Sequence, residues 1–186
     1  MGFPKALLPL GDGTFLTHVL DTLEEAGLAN PIVVLGKHAP YIEPRIAGRA
    51  VRTIVNEKPE RGQISSLQLA IQNLPSDYTG SLVWPVDLPL ISAQVIEDLI
   101  GLFRGSGALI AHPTCGDRRG HPVIFHRVLF WELLHCPLES GARSVLMKHQ
   151  GETVTLATEE TGTVTDIDTP EDYFNLTGRI LDSDRV

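Results

Sequence analysis

Ser81-Leu82-Val83-Trp84-Pro85-Val86-Asp87-Leu88-Pro89-Leu90-Ile91 is the stretch from which the fold can be read. Leu82 to Trp84 are apolar without alternation, as expected of a strand covered on both faces inside a parallel sheet between helical layers. Pro85 cannot donate to a ladder, so the strand leaves the sheet there. Asp87 then falls at the carboxyl edge, where open α/β sheets hold their ligands. It serves either as a cation ligand or as the start of a turn into a helix beginning near Ser92.

Ser81 to Val86 reads as a buried strand, and outward from it Pro31 to Leu35, Val51 to Val55 and Ala108 to Ala111 read as further ones. Thr14 to Ala26, Ser65 to Leu74 and Ser92 to Phe103 carry helical spacing. After Cys115, the polar turn Gly116-Asp117-Arg118-Arg119-Gly120 predicts an antiparallel addition: a strand over His121 to Phe125, then a helix over His126 to His135. Ser140 to His149 predicts a short helix, Thr153 to Ala157 and Thr163 to Ile167 predict strands, and Thr169 to Ile180 a last helix. Thr169, Pro170 and Asp172 have the order of a capped helix start. The polar end, 181–186, is expected to fray. No repeat, low-complexity tract or linker interrupts residues 1–186, which are expected to form one domain.

The chain has 186 residues, enough for a single core. Its 15 Lys+Arg against 23 Asp+Glu give a net charge of -8. That balance argues against binding a nucleic-acid backbone, which needs dense positive surface. An acidic protein can still hold an anionic nucleotide when a divalent cation stands between carboxylates and phosphates. Cys115 and Cys136 read as reduced thiols of a cytoplasmic protein. No apolar run is long enough to span a membrane. Seven histidines without a His-x-x-x-His helix or a cysteine cluster argue against zinc.

Lys5, in Met1-Gly2-Phe3-Pro4-Lys5, reads as the end of a phosphate-binding signature, in which backbone N–H groups cradle phosphates and the lysine adds a point charge. The alternative is an ordinary solvated lysine. Gly62-Gln63-Ile64-Ser65-Ser66 at a helix start offers N–H groups and hydroxyls to a base, ribose or phosphate, or else Ser65 is simply a helix cap. On the expected strand Thr163 to Ile167, Asp166 and Asp168 point the same way by period 2. His121, in Gly120-His121-Pro122-Val123, lines a substrate cleft or belongs to a turn. Arg143, after Gly141-Ala142, holds an anionic substrate or is a solvated residue in a helix's first turn.

Together, Met1-Gly2-Phe3-Pro4-Lys5 with Leu7-Leu8-Pro9-Leu10, Gly62 to Leu67, Asp87 to Ile91, Gly120 to Val123 and Asp166 to Asp172 resemble the MobA-like nucleotidyltransferases, in order and over essentially the whole chain. Within that family the molybdenum cofactor cytidylyltransferases are the nearest likeness. The resemblance implies a GT-A-like, Rossmann-related three-layer α/β/α fold with a mostly parallel sheet. It implies transfer of a nucleoside monophosphate, CMP before others, from CTP or another triphosphate to molybdopterin or another phosphorylated acceptor, with pyrophosphate released. By position, Lys5, Asp87 and Asp166 would be catalytic, and Asp87, Asp166 and Asp168 would hold Mg²⁺. Lys5, Gly62, Gln63, Ser65 and Ser66 would bind the nucleotide, and His121 and Arg143 the acceptor. Sugar-phosphate or alcohol-phosphate nucleotidyl transfer and a non-catalytic nucleotide-binding or regulatory homologue are the alternatives. The family pattern places a strand and a Leu-Ala-Ala-Gly-type loop before the Met-Gly, so this chain is expected to start short of a strand that lies inside the sheet.

Overall fold

The computed structural model describes residues 3–180; the fraying expected at 181–186 lies outside them. A two-residue hairpin opens the chain, β1 (Pro9–Leu10) against β2 (Gly13–Thr14), its turn made by Gly11 at φ 57° and Asp12. α1 (Phe15–Glu25) follows, capped by Thr14, whose Oγ1 accepts from the Thr17 N–H while Thr17 Oγ1 accepts from the Thr14 N–H. Then come β3 (Ile32–Leu35), the single turn α2 (Ala39–Ile42), β4 (Arg52–Val55), α3 (Gln63–Gln72) and β5 (Gly80–Val83). α4 (Ala93–Ser106) starts at its cap Ser92 and stops at left-handed Gly107. β6 (Ile110–Cys115), β7 (Arg118–Arg119) and β8 (Val123–His126) form the antiparallel addition. α5 (Phe130–His135), α6 (Gly141–Lys148), β9 (Thr153–Ala157) and α7 (Pro170–Thr177) complete the order.

The layers follow from alternation along the strands. In β8, Val123 and Phe125 turn towards Ile71 of α3, Leu133 of α5 and Val145 of α6, whereas Ile124 turns towards Leu99 of α4. Val83 and Leu82 of β5 divide the same way, as do Ile110 and Ala111 of β6. The result is an α/β/α sandwich, with α3, α5 and α6 in mutual contact on one side and α1 and α4 in contact on the other.

The sheet is mixed. Parallel pairing joins β3 to β4 and β6 to β9, while β8 lies antiparallel between β5 and β6. Val123, Ile124 and Phe125 of β8 are all buried, so an unbroken apolar run marks a strand covered on both faces without fixing its direction. Thr163 to Ile167 is not a strand. Gly162 and Thr163 sit in a buried tight turn; Val164 N–H closes it on the Thr161 carbonyl at 3.0 Å, and further on the Ile167 N–H bonds the Asp87 carbonyl at 2.9 Å, with no ladder along the segment among the described residues. The last helix also stops at Thr177, three residues before Ile180, because Gly178 takes the left-handed conformation at φ 68°.

Between β3 and β5 the layer of strands is interrupted. Among the described residues, β3 pairs only with β4, and β5 pairs only with β8. Leu16 and Leu20 of α1 pack on Val33 and Leu35, and α3 touches β3 while its Leu67 and Ile71 pack beside Val83. Apart from Leu35, the residues of both strands are only half-buried.

Candidate functional site

Three segments converge on one ammonium group. Lys5 lies in a short 3-10 turn, Lys5–Leu7, directly before the hairpin. Its Nζ donates to Asp87 Oδ2 at 3.2 Å and to Asp168 Oδ1. Asp87 follows β5, which ends at Val83; beyond it the Leu88 N–H bonds the Pro85 carbonyl and Trp84 Nε1–H donates to the Leu88 carbonyl at 2.9 Å. The bond from the Ile167 N–H to the Asp87 carbonyl fixes the two acidic segments to each other. Ile167 is buried while Asp166 and Asp168 on either side are exposed, on a segment that is not the expected strand.

Burial works against the Lys5 charge, but hydrogen bonds and charge from Asp168 and Asp87 outweigh it and hold its pKa above the usual lysine value. The Lys5 hydrogen bond, with its charge, holds Asp168 below the ordinary carboxylate range. Asp87 Oδ1 is buried and has no hydrogen-bond partner among the described residues, and His121 Nδ1 shares that condition. Burial pushes the His121 pKa down, against the opposing pull of Asp87 and, more weakly, Asp166. Its ring is therefore a neutral group beside the carboxylates.

His121 also lines a cavity of about 410 Å³ that Gln63, Glu139 and Arg143 border with polar groups and Val83 and Phe125 with apolar ones. The cavity brings Arg143, exposed in the first turn of α6, to the same side as the carboxylates. The structure thus unites Lys5, Asp87, Asp166, Asp168 and His121 in one cluster, and Gln63, His121 and Arg143 in the adjoining cavity.

Gly62, Ser65 and Ser66 form a third group, at the start of α3. The helix begins at Gln63, two residues earlier than Ser65, with Gly62 at φ 82° as its cap. Ser65 is therefore not the cap; its hydroxyl donates to the Gly62 carbonyl at 2.7 Å. Asn56, which sequence reasoning passed over, is buried between Ser65, Ser66 and the Lys58 backbone. The available signal was a polar amide directly after a strand, at its carboxyl end.

Among the described residues, no group of three or more His, Cys, Asp or Glu side chains has the arrangement of a metal cage. Asp87, Asp166 and Asp168 are thus not a ready-made set of three ligands, because Lys5 stands between Asp87 and Asp168. The unpartnered Asp87 Oδ1 nonetheless suits a hard cation that takes one or two carboxylates and completes its shell with substrate phosphates. Among the described residues, no helix is long and apolar enough to cross a membrane.

Known proteins share this arrangement of elements. The chain superposes on Rv0371c of Mycobacterium tuberculosis with a TM-score of 0.85 at 28% identity, covering 96% of this chain and 91% of that one. A manganese complex of Rv0371c gives a TM-score of 0.76 at 27% identity, covering 96% of this chain and 94% of that one. Over 149 residues it is 31% identical to a probable molybdenum cofactor guanylyltransferase of Rhodopirellula baltica, spanning 78% of this chain and 70% of that protein. It is 36% identical over 104 residues to the bifunctional protein GlmU of Mycolicibacterium paratuberculosis, an alignment with 52% of this chain and only 21% of that longer protein. The pattern of the MobA-like NTP transferase domain matches residues 1–154, and the chain belongs to that family.

Proposed function

We propose that this protein transfers a nucleoside monophosphate from a nucleoside triphosphate to a phosphorylated acceptor, with Mg²⁺ as cofactor and pyrophosphate as the second product. The observation that carries the reading is the Lys5 ammonium held against Asp87 and Asp168 beside the unpartnered Asp87 Oδ1. In this reading an oxygen of the acceptor's phosphate attacks the α-phosphorus in line. The bond to the β-phosphate oxygen breaks, and pyrophosphate leaves with the electron pair.

The acceptor oxygen is already anionic at neutral pH, so no protein nucleophile or base is required. The chain's contribution is positioning and charge. Lys5 offsets the negative charge gathering on the reacting phosphates. Asp87 and Asp166 would hold the metal, with Asp168 as a further partner, and Gly62, Gln63 and Ser66 would contact the nucleotide. Mg²⁺, when bound, supplies Lewis-acid polarisation of the α-phosphate. In the cavity, Arg143 pairs with acceptor charge while neutral His121 offers a hydrogen bond.

The resemblance favours CTP and molybdopterin, whereas the Rhodopirellula relative is named a guanylyltransferase, so GTP is the direct competitor. A sugar-phosphate or other alcohol-phosphate acceptor is the second reading. The two free cysteines fit a reducing compartment, the cytoplasm.

The test measures pyrophosphate release with Mg²⁺ and each of CTP, GTP, ATP and UTP, with molybdopterin, with sugar phosphates and with no acceptor. Release that depends on one triphosphate and one acceptor, and that Asp87→Ala abolishes at unchanged melting temperature, supports the reading. Absence of release in every combination refutes it.

A further inference from the structure

The hydrogen bonds around Asn56 give each hydroxyl at the start of α3 a direction. Asn56 directly follows β4 and is 6% exposed. The Lys58 backbone N–H donates to Asn56 Oδ1 at 2.9 Å. A backbone N–H can only donate, so this contact identifies the oxygen end of the amide, and the other end is the NH₂ group. That group donates to Ser65 Oγ at 2.9 Å and to Ser66 Oγ at 3.0 Å. Both hydroxyls are acceptors towards Asn56, so their own hydrogens must point elsewhere.

The two serines then differ. Ser65 sends its hydrogen to the Gly62 carbonyl at 2.7 Å, which uses its donor on the backbone. Ser66 is half-buried, and its hydrogen meets no acceptor among the described residues. A hydroxyl has a single hydrogen. With Asn56 occupying a lone pair, Ser66 keeps a donor that meets no acceptor among the described residues, near the carboxyl end of β4.

We infer that Asn56 is a positioning residue that makes Ser66 a hydrogen-bond donor to the bound nucleotide, where it recognises an acceptor atom on a phosphate or on the base. The inference rests on the nucleotide-binding reading above and assigns separate duties to adjacent serines: Ser66 contacts the ligand, and Ser65 holds the loop. Asn56→Asp tests the direction of the bond. An aspartate keeps the acceptor for the Lys58 N–H but accepts from the hydroxyls, which draws the Ser66 hydrogen inwards.

Calorimetric titration of the full chain with CTP, GTP and tripolyphosphate in Mg²⁺ provides the readout, alongside melting temperatures. Ser66→Ala and Asn56→Asp are each expected to weaken binding of the preferred triphosphate roughly tenfold or more, the scale of one hydrogen bond to a charged group. Ser65→Ala is expected to lower the melting temperature, because its hydroxyl holds the Gly62 carbonyl. In the Ser66→Ala background, Asn56→Asp should add less than about a twofold further loss, because the bond it reverses is already gone. A Ser66→Ala loss shared by tripolyphosphate locates the contact on a phosphate, and a loss confined to CTP or GTP locates it on the nucleoside; either supports the inference. Unchanged affinity in Ser66→Ala, or an equal Asn56→Asp loss with and without the Ser66 hydroxyl, overturns it while wild-type binding leaves the proposed function standing. A wild-type chain that binds none of the three probes overturns both.

Discussion

A Cβ placed on Gly162 would lie 2.0 Å from the carbonyl oxygen of Leu90. Gly120 is under a related constraint, since its Cβ would come within 2.7 Å of the Thr163 carbonyl. The chain leaving Asp87, the turn leading to Asp166 and the turn leading to His121 therefore touch backbone to backbone. Because backbone cannot step aside as a side chain does, Gly162→Ala must displace the turn. We expect a loss of about 1–3 kcal/mol in urea unfolding and a fall in turnover. Gly101→Ala is the control: its site in α4 is exposed with open space around it, and it should stabilise by about 0.5–1 kcal/mol. A Gly162→Ala protein as stable and active as wild type would show that the three segments move independently.

Lys5 joins side chains that are 27%, 26% and 56% exposed at Lys5, Asp87 and Asp168. Ion pairs this wet contribute little to stability. Lys5→Met should therefore leave the melting temperature nearly unchanged while lowering turnover by about 10²-fold or more, the scale of removing one preorganised electrostatic contact. Mn²⁺ binding, followed by its paramagnetic signal, should persist or tighten because the ammonium no longer competes for Asp87. Weakened Mn²⁺ binding would show that Lys5 instead shapes the carboxylates for the metal.

His149 ties α6 to α5 and to the start of β9. Its Nδ1 meets Glu152 Oε2 at 2.6 Å, its Nε2 meets Glu132 Oε1 at 3.1 Å, and Lys148 Nζ donates to the same Glu132 at 2.9 Å. The Glu152 hydrogen bond, aided by Glu132 and opposed by burial, raises the His149 pKa above its ordinary 6.5. The folded protein thus holds that proton more tightly than the unfolded chain does. Its contribution is complete below the ordinary value and is lost as pH rises through the raised one. Melting temperature should fall across that window, and His149→Gln should remove that component of the fall. An identical pH slope in the variant would assign it to other groups.

Period and punctuation made much of the fold legible. Short runs located β3, β4 and β5, although β4 is mostly exposed where a buried strand was expected and β5 ends at Val83, two residues before Pro85; Thr169-Pro170 with Asp172 marked the start of α7. Alternation did not disclose that β8 runs antiparallel between β5 and β6, because burial on both faces erases the cue. Asp166 and Asp168 were recognisable as a pair, but the sequence suggested a strand where one backbone bond to Asp87 does the holding. Asn56 stayed hidden because a lone amide has no spacing signature; its meaning lies in three contacts reached across the loop to α3.

Among the described residues, pairing stops between β3 and β5: Ile32–Leu35 takes its ladder from β4 and Gly80–Val83 from β8. α3 touches β3 and also packs beside Val83 of β5. Side-chain packing on that helix therefore does, between the two groups of strands, the joining that backbone hydrogen bonds do within each of them.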